Sequence, residues 1–140
     1  MSENRFGTDI NPEDILEALD FFDSWEDRYK YIIDLGKELP PMDQADKTEQ
    51  HLVRGCQSQV WLVAERHGDK LYFQADSDAF IVKGLLGAVL AAYNAKTPEQ
   101  ITAFDIDAYF ERLNLLKHLS STRGNGLQAM VKKIQAIAAS

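Results

Sequence analysis

Two runs rich in β-branched and aromatic residues lie next to each other in the middle of the chain, at residues 59–65 and 70–75. The residues between them read Arg-His-Gly-Asp, which is typical of a hairpin loop. The segment His51-Leu52-Val53 has the composition of a further brief strand. Helical patterns precede and follow these runs, so the sequence predicts an α+β fold: a small antiparallel sheet of about three strands with helices packed against it.

Helix-start signals predict two helices in the first forty residues. Asn11 is a suitable cap for the first, because Pro12 and Asp14 follow it at positions that favour a helix start. Ser24 caps the second, and Pro40 forbids its continuation. Apolar residues recur at helical spacing in both segments, at Ile15, Leu16, Leu19 and Phe22 and at Trp25, Tyr29, Ile32, Ile33 and Gly36. We interpret this stripe as core.

A third helix is expected after the strands, with Ser77 or Asp78 as its cap. Its apolar positions indicate a buried element: Phe80, Ile81, Leu85, Ala88, Val89 and Ala92. Gly84 and Gly87 cost about 1 kcal/mol each in helix propensity relative to alanine. We expect close packing of a neighbouring backbone to compensate, from the sheet or from the loop around Cys56.

The last third of the chain carries three further helix starts. Thr97 opens a capping box with proline at the first helical position, and Asp105 opens a short helix. The last helix is predicted to begin between Thr122 and Asn125. Its inward positions are expected to be Leu127, Met130, Val131, Ile134 and Ile137.

The composition limits the class of protein. A chain of 140 residues is expected to form one domain, here over residues 1–140, with residues 1–7 loosely held. The net charge is −7, which makes a nucleic-acid partner improbable. The longest apolar stretch is far short of a membrane span, and the first residues lack the features of a secretory signal. These features and the single cysteine predict a cytoplasmic protein.

That cysteine, Cys56, is the residue most suited to chemistry. Gly55 precedes it and permits a tight turn, while Gln57 and Ser58 place polar groups before the next strand. A thiol on such a turn is partly exposed and has backbone N–H groups nearby that favour the nucleophilic thiolate. Taken alone, however, a free cysteine is more often a buried packing residue.

Other thiol chemistries find less support in the sequence. An iron-sulfur scaffold needs several thiolates, and the chain has one. A zinc site from Cys56 with His51, His67 and His118 lacks the usual close ligand spacing. A Cys-His hydrolase requires a base and an oxyanion site. His51 is the nearest base in sequence, and nothing marks a substrate pocket.

The motif Gly-Cys-Gln-Ser-Gln-Val-Trp at residues 55–61 resembles the cysteine motif of the SufE family of sulfur acceptors. Three further segments are similar to that family: WEDRYKYIIDLGKELP at 25–40, SDAFIVKGLLGAVLAAYN at 77–94 and HLSSTRGNGLQAM at 118–130. The family commonly has Ser-Pro-Ser-Arg in the last segment, where this chain has Ser-Ser-Thr-Arg at 120–123. Without the proline, this loop lacks the backbone restriction that proline imposes, which affects its expected rigidity and not the resemblance.

The resemblance implies a non-enzymatic carrier that takes persulfide sulfur from a pyridoxal-phosphate-dependent cysteine desulfurase onto Cys56. It implies no cofactor of the chain's own, a SufS- or CsdA-like partner, and a downstream sulfur acceptor or scaffold in iron-sulfur cluster assembly or another sulfur-transfer pathway. Gly55, Gln57 and Ser58 would form the supporting loop. Arg123 is a possible thiolate or partner contact, whereas Arg54 is more simply a solvent-exposed strand charge. Cys56 is expected to be tucked against apolar neighbours at rest and extended when bound.

Overall fold

The computed structural model describes residues 5–53, 59–113 and 121–140, with side chains for all of these except 121–125. Two helices, α1 (Pro12–Phe21) and α2 (Trp25–Gly36), precede the strands β1 (Val60–His67) and β2 (Lys70–Ser77). Single turns of 3-10 helix at Gln44–Asp46 and Glu49–His51 interrupt the connector from α2 to β1. Four helices follow: α3 (Phe80–Tyr93), α4 (Pro98–Ala103), α5 (Ile106–Leu113) and α6 (Ser121–Ala139). The mixed α+β class is therefore as predicted.

The sheet of the described residues has two antiparallel strands rather than about three. The register pairs Val60 with Ser77 and His67 with Lys70. The connecting turn is accordingly two residues long, and Gly68 adopts the positive φ of +66° that a tight hairpin turn requires. The expected third strand, at residues 51–53, is reduced to an isolated bridge between Leu52 and Trp61, because a 3-10 turn occupies the residues before it.

Helix α3 lies at the centre of the structure. Eleven of its residues are buried, and it packs against α1, α2, α4, α6 and β2. The core-facing side of the hairpin contributes Val60, Leu62, Leu71, Phe73 and Ala75. Helix α6 adds Leu127, Met130, Val131 and Ile134 as predicted, whereas Ile137 is partly buried. One face of the hairpin thus rests on helices.

The glycines of α3 allow close contact with other elements, as their cost in helix propensity predicted. A Cβ at Gly84 would collide with the carbonyl oxygen of Ile32, and a Cβ at Gly36 would lie 2.6 Å from the backbone nitrogen of Gly84. A Cβ at Gly87 would lie 3.0 Å from the ring of Phe6. Among the described residues, helix α2 and Phe6 are therefore the close neighbours instead of the suggested sheet, and the cysteine loop suggested as the alternative lies outside these residues.

The start of α3 differs from the prediction. Its N-cap is Ala79. Ser77 instead ends β2 and accepts a hydrogen bond of 3.3 Å from the Ala79 amide, while the Asp78 side chain binds the amide of Gln59. Phe80, expected in the core, is 72% exposed because it lies on the first turn of α3, on the side away from the core.

The expectation of a loosely held start is wrong for Arg5, Phe6 and Gly7, while residues 1–4 lie outside the described part. Phe6 is fully buried, and its carbonyl oxygen accepts a hydrogen bond of 2.9 Å from the side chain of buried Asn94. The same Asn94 side chain accepts a bond of 2.7 Å from the Phe73 amide. The N-terminal segment is thereby joined to β2.

The predicted starts of α1, α2, α4 and α5 are confirmed. Helix α1 begins after Asn11, and the Ser24, Thr97 and Asp105 side chains each accept a backbone hydrogen bond in the first turn of their helices. Helix α6 begins at Ser121, one residue before the predicted range. Within residues 5–53, 59–113 and 121–140, no helix has the length and apolar character needed to cross a membrane.

Candidate functional site

The predicted loop residues Arg54, Gly55, Cys56, Gln57 and Ser58 lie outside the described residues. We call them the Cys56 segment. The structure describes the residues on either side of it, Val53 and Gln59. The geometry of the site is therefore given by what holds these two ends.

The entry to the Cys56 segment is attached to the start of β1. The amide of Val53 donates a hydrogen bond of 2.8 Å to the carbonyl oxygen of Val60, and Leu52 forms the bridge with Trp61. Both Val53 and Val60 are buried. The chain thus enters the segment from an ordered edge next to β1.

The exit from the segment is attached to the residue that follows β2. The amide of Gln59 donates to a carboxylate oxygen of Asp78 over 3.2 Å, and the amide of Asp78 donates to the carbonyl oxygen of Gln59 over 3.4 Å. Cys56 is three residues from Val53 and three from Gln59. In the sequence, the cysteine is therefore midway between two anchored positions.

A buried ion cluster lies beside these anchors. The Asp76 side chain is 8% exposed, and its carboxylate contacts Lys47 Nζ at 3.0 Å and Lys83 Nζ at 3.3 Å. The Ser77 amide donates a further bond of 2.8 Å to the same carboxylate. Burial raises the pKa of Asp76, but the bonds from Lys47 and Ser77 and the charge of Lys83 outweigh it, so the pKa lies below its ordinary value.

Trp61 connects this cluster to the entry of the Cys56 segment. It pairs with Asp76 across the two strands, so both side chains lie on the face of the hairpin opposite the helical core. The Lys47 ammonium lies 5.5 Å from the centre of the Trp61 ring, within the range of a cation–π contact. The connector before β1 therefore covers this face beside the bridge to Leu52.

These residues were not among the predicted site residues. The alternation of β2 places Asp76 on the outward face, where a carboxylate is ordinarily solvated. It is buried because Lys47, 29 positions earlier in the sequence, lies over it. The only local signal was the sequence Asp76-Ser77-Asp78 at the end of a strand.

The other predicted contacts of the site are only partly described. Arg123 is in the first turn of α6, but its side chain lies outside the description, as does that of Arg54. His51 contacts the carbonyl oxygen of Asp46 through Nδ1 at 2.7 Å. His67 is exposed and pairs with Glu65 at 3.1 Å.

The geometry of the described part bears on the metal-site alternative. Among the residues described, no group of three or more His, Cys, Asp or Glu could hold a metal ion; Cys56 and His118 lie outside these residues. His67 lies at the turn of the hairpin, about 23 Å along β1 from Val60. This separation places it at the far end of the hairpin from the attachment of the Cys56 segment.

Comparison with known proteins gives one consistent result. Residues 13–138 match the model of the SufE family, described as the Fe-S metabolism associated domain. An uncharacterised SufE-like protein of Rhizobium meliloti (strain 1021) is 44% identical over 128 residues, covering 89% of this chain and 91% of the relative. A second, from Rhizobium etli, is 45% identical over 127 residues, covering 88% of this chain and 86% of the relative.

The fold also has a solved counterpart. The solution structure of a hypothetical protein from Thermus thermophilus superposes with a TM-score of 0.74 at 20% sequence identity. The match covers 91% of this chain and 93% of the other. At this identity the likeness concerns the fold alone.

Proposed function

This chain belongs to the SufE family, and we propose that it accepts sulfur as a persulfide on Cys56 from a pyridoxal-phosphate-dependent cysteine desulfurase. The family domain is associated with iron-sulfur metabolism, and the proposal places the chain in sulfur supply to that process or to another sulfur-transfer pathway. The observation that carries it is the position of the only cysteine, midway between two anchored residues.

The reaction balances without an added oxidant or reductant. The Cys56 thiolate attacks the outer sulfur of a persulfide on the partner's cysteine. A new S–S bond forms at Cys56 as the partner's S–S bond breaks, and the partner's sulfur leaves as a thiolate that takes up a proton. Such an exchange needs an attacking thiol with a pKa close to the ambient pH. One cysteine per chain is sufficient.

The two anchors determine how far the thiol can travel. Cys56 is three positions from Val53 and three from Gln59 in the sequence, and an extended chain spans at most about 3.6 Å per residue. Cys56 can thus reach about 10 Å from the anchored positions while both remain in place. This distance lets the thiol enter a recessed active site without unfolding β1 or α3.

Within this proposal the neighbouring residues have distinct roles. Gly55 supplies the backbone freedom that extension of the segment requires, and the amides around Gln57 and Ser58 favour the thiolate. Arg123, at the start of α6, is proposed as a contact for the thiolate or for the partner. Arg54 is proposed in the same role with less support, because an exposed strand position explains it as well.

The chain is proposed to act as a carrier and activator and not as an enzyme in its own right, so pyridoxal phosphate belongs to the partner. A SufS- or CsdA-like desulfurase is the proposed donor. Cys56 must be a free thiol to accept sulfur, and reducing conditions keep such a thiol out of disulfides, which fits a cytoplasmic location.

Intact-protein mass spectrometry tests the proposal. The chain is incubated with a cysteine desulfurase, pyridoxal phosphate and L-cysteine. We expect the mass to increase by one sulfur atom, and we expect a thiol reductant to remove the addition. The matched variant Cys56→Ser should fold normally, as judged by thermal unfolding, and gain no sulfur. A folded wild-type chain that gains no sulfur from SufS- and CsdA-like desulfurases would overturn the proposal.

A further inference from the structure

We propose that Lys47, acting through Asp76 and Trp61, is a positioning residue that holds the entry of the Cys56 segment in its resting place. The inference rests on the proposed function for its biological meaning, since a carrier thiol must be held at rest and released to its partner. The clamp itself, defined as Lys47, Asp76, Lys83 and Trp61, is a property of the free chain and is tested there.

The first argument is the burial of the charges. The side chains of Asp76 and Lys47 are 8% and 21% exposed, and Lys47 Nζ lies 3.0 Å from Asp76 Oδ2. By contrast, the ion pair of Lys37 with Asp34 has a similar distance of 3.3 Å but side chains that are 68% and 69% exposed. Exposed pairs of that kind contribute little to stability, whereas a buried carboxylate that loses one of its two cations is left with a less compensated charge. The pair at Lys47 is therefore the stronger attachment.

The second argument is what the clamp joins. Lys47 lies in the connector, Asp76 lies near the end of β2, and Lys83 lies in the first turns of α3. The carboxylate thus ties a segment of irregular chain to the two regular elements beneath it. Only five residues separate Lys47 from Val53, so fixing Lys47 restricts the path of the chain into the Cys56 segment.

The third argument is that the contacts at the entry and at the exit of the Cys56 segment both involve the paired ends of β1 and β2. Trp61 lies under the Lys47 ammonium, pairs with Asp76, and forms the bridge to Leu52 at the entry. The exit is held by Asp78, two residues beyond Asp76. Removal of the Lys47 side chain is expected to loosen the entry before the exit, because the exit has its own hydrogen bonds.

Hydrogen–deuterium exchange of single amides in the free chain tests the clamp. The reporter is the Val53 amide, which bonds to Val60, and the internal reference is the Phe73 amide, which bonds to the buried Asn94 side chain. In Lys47→Ala we expect Val53 to exchange about tenfold faster or more while Phe73 is unchanged, because the opening is local. Equal acceleration of both amides would mean general destabilisation and overturn the inference.

Two further variants complete the experiment. Lys37→Ala removes a cation from an exposed pair and should leave the Val53 amide unchanged. Lys47→Arg keeps the charge and the contact with the Trp61 ring, so it should restore slow exchange. An unchanged Val53 amide in Lys47→Ala, or no rescue by arginine, would also overturn the inference.

The rate of Cys56 alkylation by iodoacetamide provides the functional readout. We expect a several-fold higher rate in Lys47→Ala than in the wild type and no change in Lys37→Ala. An identical rate in all three would reject a positioning role for Lys47. Neither measurement uses a desulfurase. A failure of sulfur acceptance in the wild type would therefore overturn the proposed function but would not test the role of the clamp.

Discussion

The two ends of the hairpin are built from the same pair of strands but differ in almost every contact. At one end, Val60 and Ser77 are buried, and an ion cluster and two backbone attachments surround the entry and exit of the Cys56 segment. At the other end, His67 and Lys70 flank an exposed two-residue turn. We call these the anchored end and the turn end.

The difference shows that strand pairing alone does not decide where a hairpin is rigid. Backbone hydrogen bonds join the strands along their whole length. The anchored end is additionally held by the connector and by α3, whereas the attachment near the turn end is the bridge from Leu71 to Lys96. Residues far apart in sequence supply those contacts. Substitutions at the two ends should therefore have different consequences, and the following predictions test that difference.

The largest effect is expected from Leu62→Ala in the buried part near the anchored end. Leu62 is 2% exposed, so truncation leaves a cavity and should lower the free energy of unfolding by about 2–5 kcal/mol. Arg66→Ala at the turn end should change it by less than about 0.5 kcal/mol. Urea unfolding measures both. Similar losses at the two positions would contradict the comparison.

Next in size is Asp76→Asn, which should cost about 1.5–3 kcal/mol at neutral pH because Lys47 and Lys83 lose their charged acceptor. Since the pKa of Asp76 is lowered in the folded state, its stabilisation is present above the ordinary aspartate pKa of about 3.9 and is lost as the pH falls through the lowered pKa. The difference in the free energy of unfolding between wild type and Asp76→Asn should therefore become smaller in acid. A difference that does not depend on pH would show that the carboxylate charge is not the cause of the lost stability.

A smaller effect is expected from Gly68→Ala in the turn. Alanine at a φ of +66° is strained, which costs about 1 kcal/mol, although no other atom obstructs the added methyl group. The alkylation rate of Cys56 should not change, because the substitution lies at the other end of the hairpin. A changed rate would indicate that the two ends are coupled.

The smallest effect is expected from His67→Ala. Its side-chain contact with Glu65 is exposed, so the free energy of unfolding should change by less than about 0.5 kcal/mol. Sulfur acceptance measured by mass spectrometry should also be unchanged. Loss of acceptance would revive a site in which His67 and Cys56 act together.

The parts of the fold that depend on neighbours in sequence were predictable. The caps at Ser24, Thr97 and Asp105 are satisfied within one turn, and the hairpin is specified by its turn residues and strand composition. The cysteine motif could also be identified from the sequence, because its residues are contiguous. Local signals of this kind require no knowledge of the remaining chain.

The parts that depend on distant residues were not predictable. Phe6 is buried because Gly87 leaves space for its ring, and Asp76 is buried because Lys47 covers it. The third strand was predicted from composition, but pairing at Leu52 is limited to one bridge by the turn before it. In each case a long-range contact, or the shape of a preceding loop, determines the outcome.

The equal spacing of Cys56 from its two anchors has a consequence for loop length. A residue on a chain tethered at both ends can move outward no farther than its shorter arm allows. Extra residues inserted only between Cys56 and Gln59 would leave the arm from Val53 as the limit, adding conformational entropy without adding reach. Two arms of equal length therefore give the thiol the greatest travel available to a connection of this length.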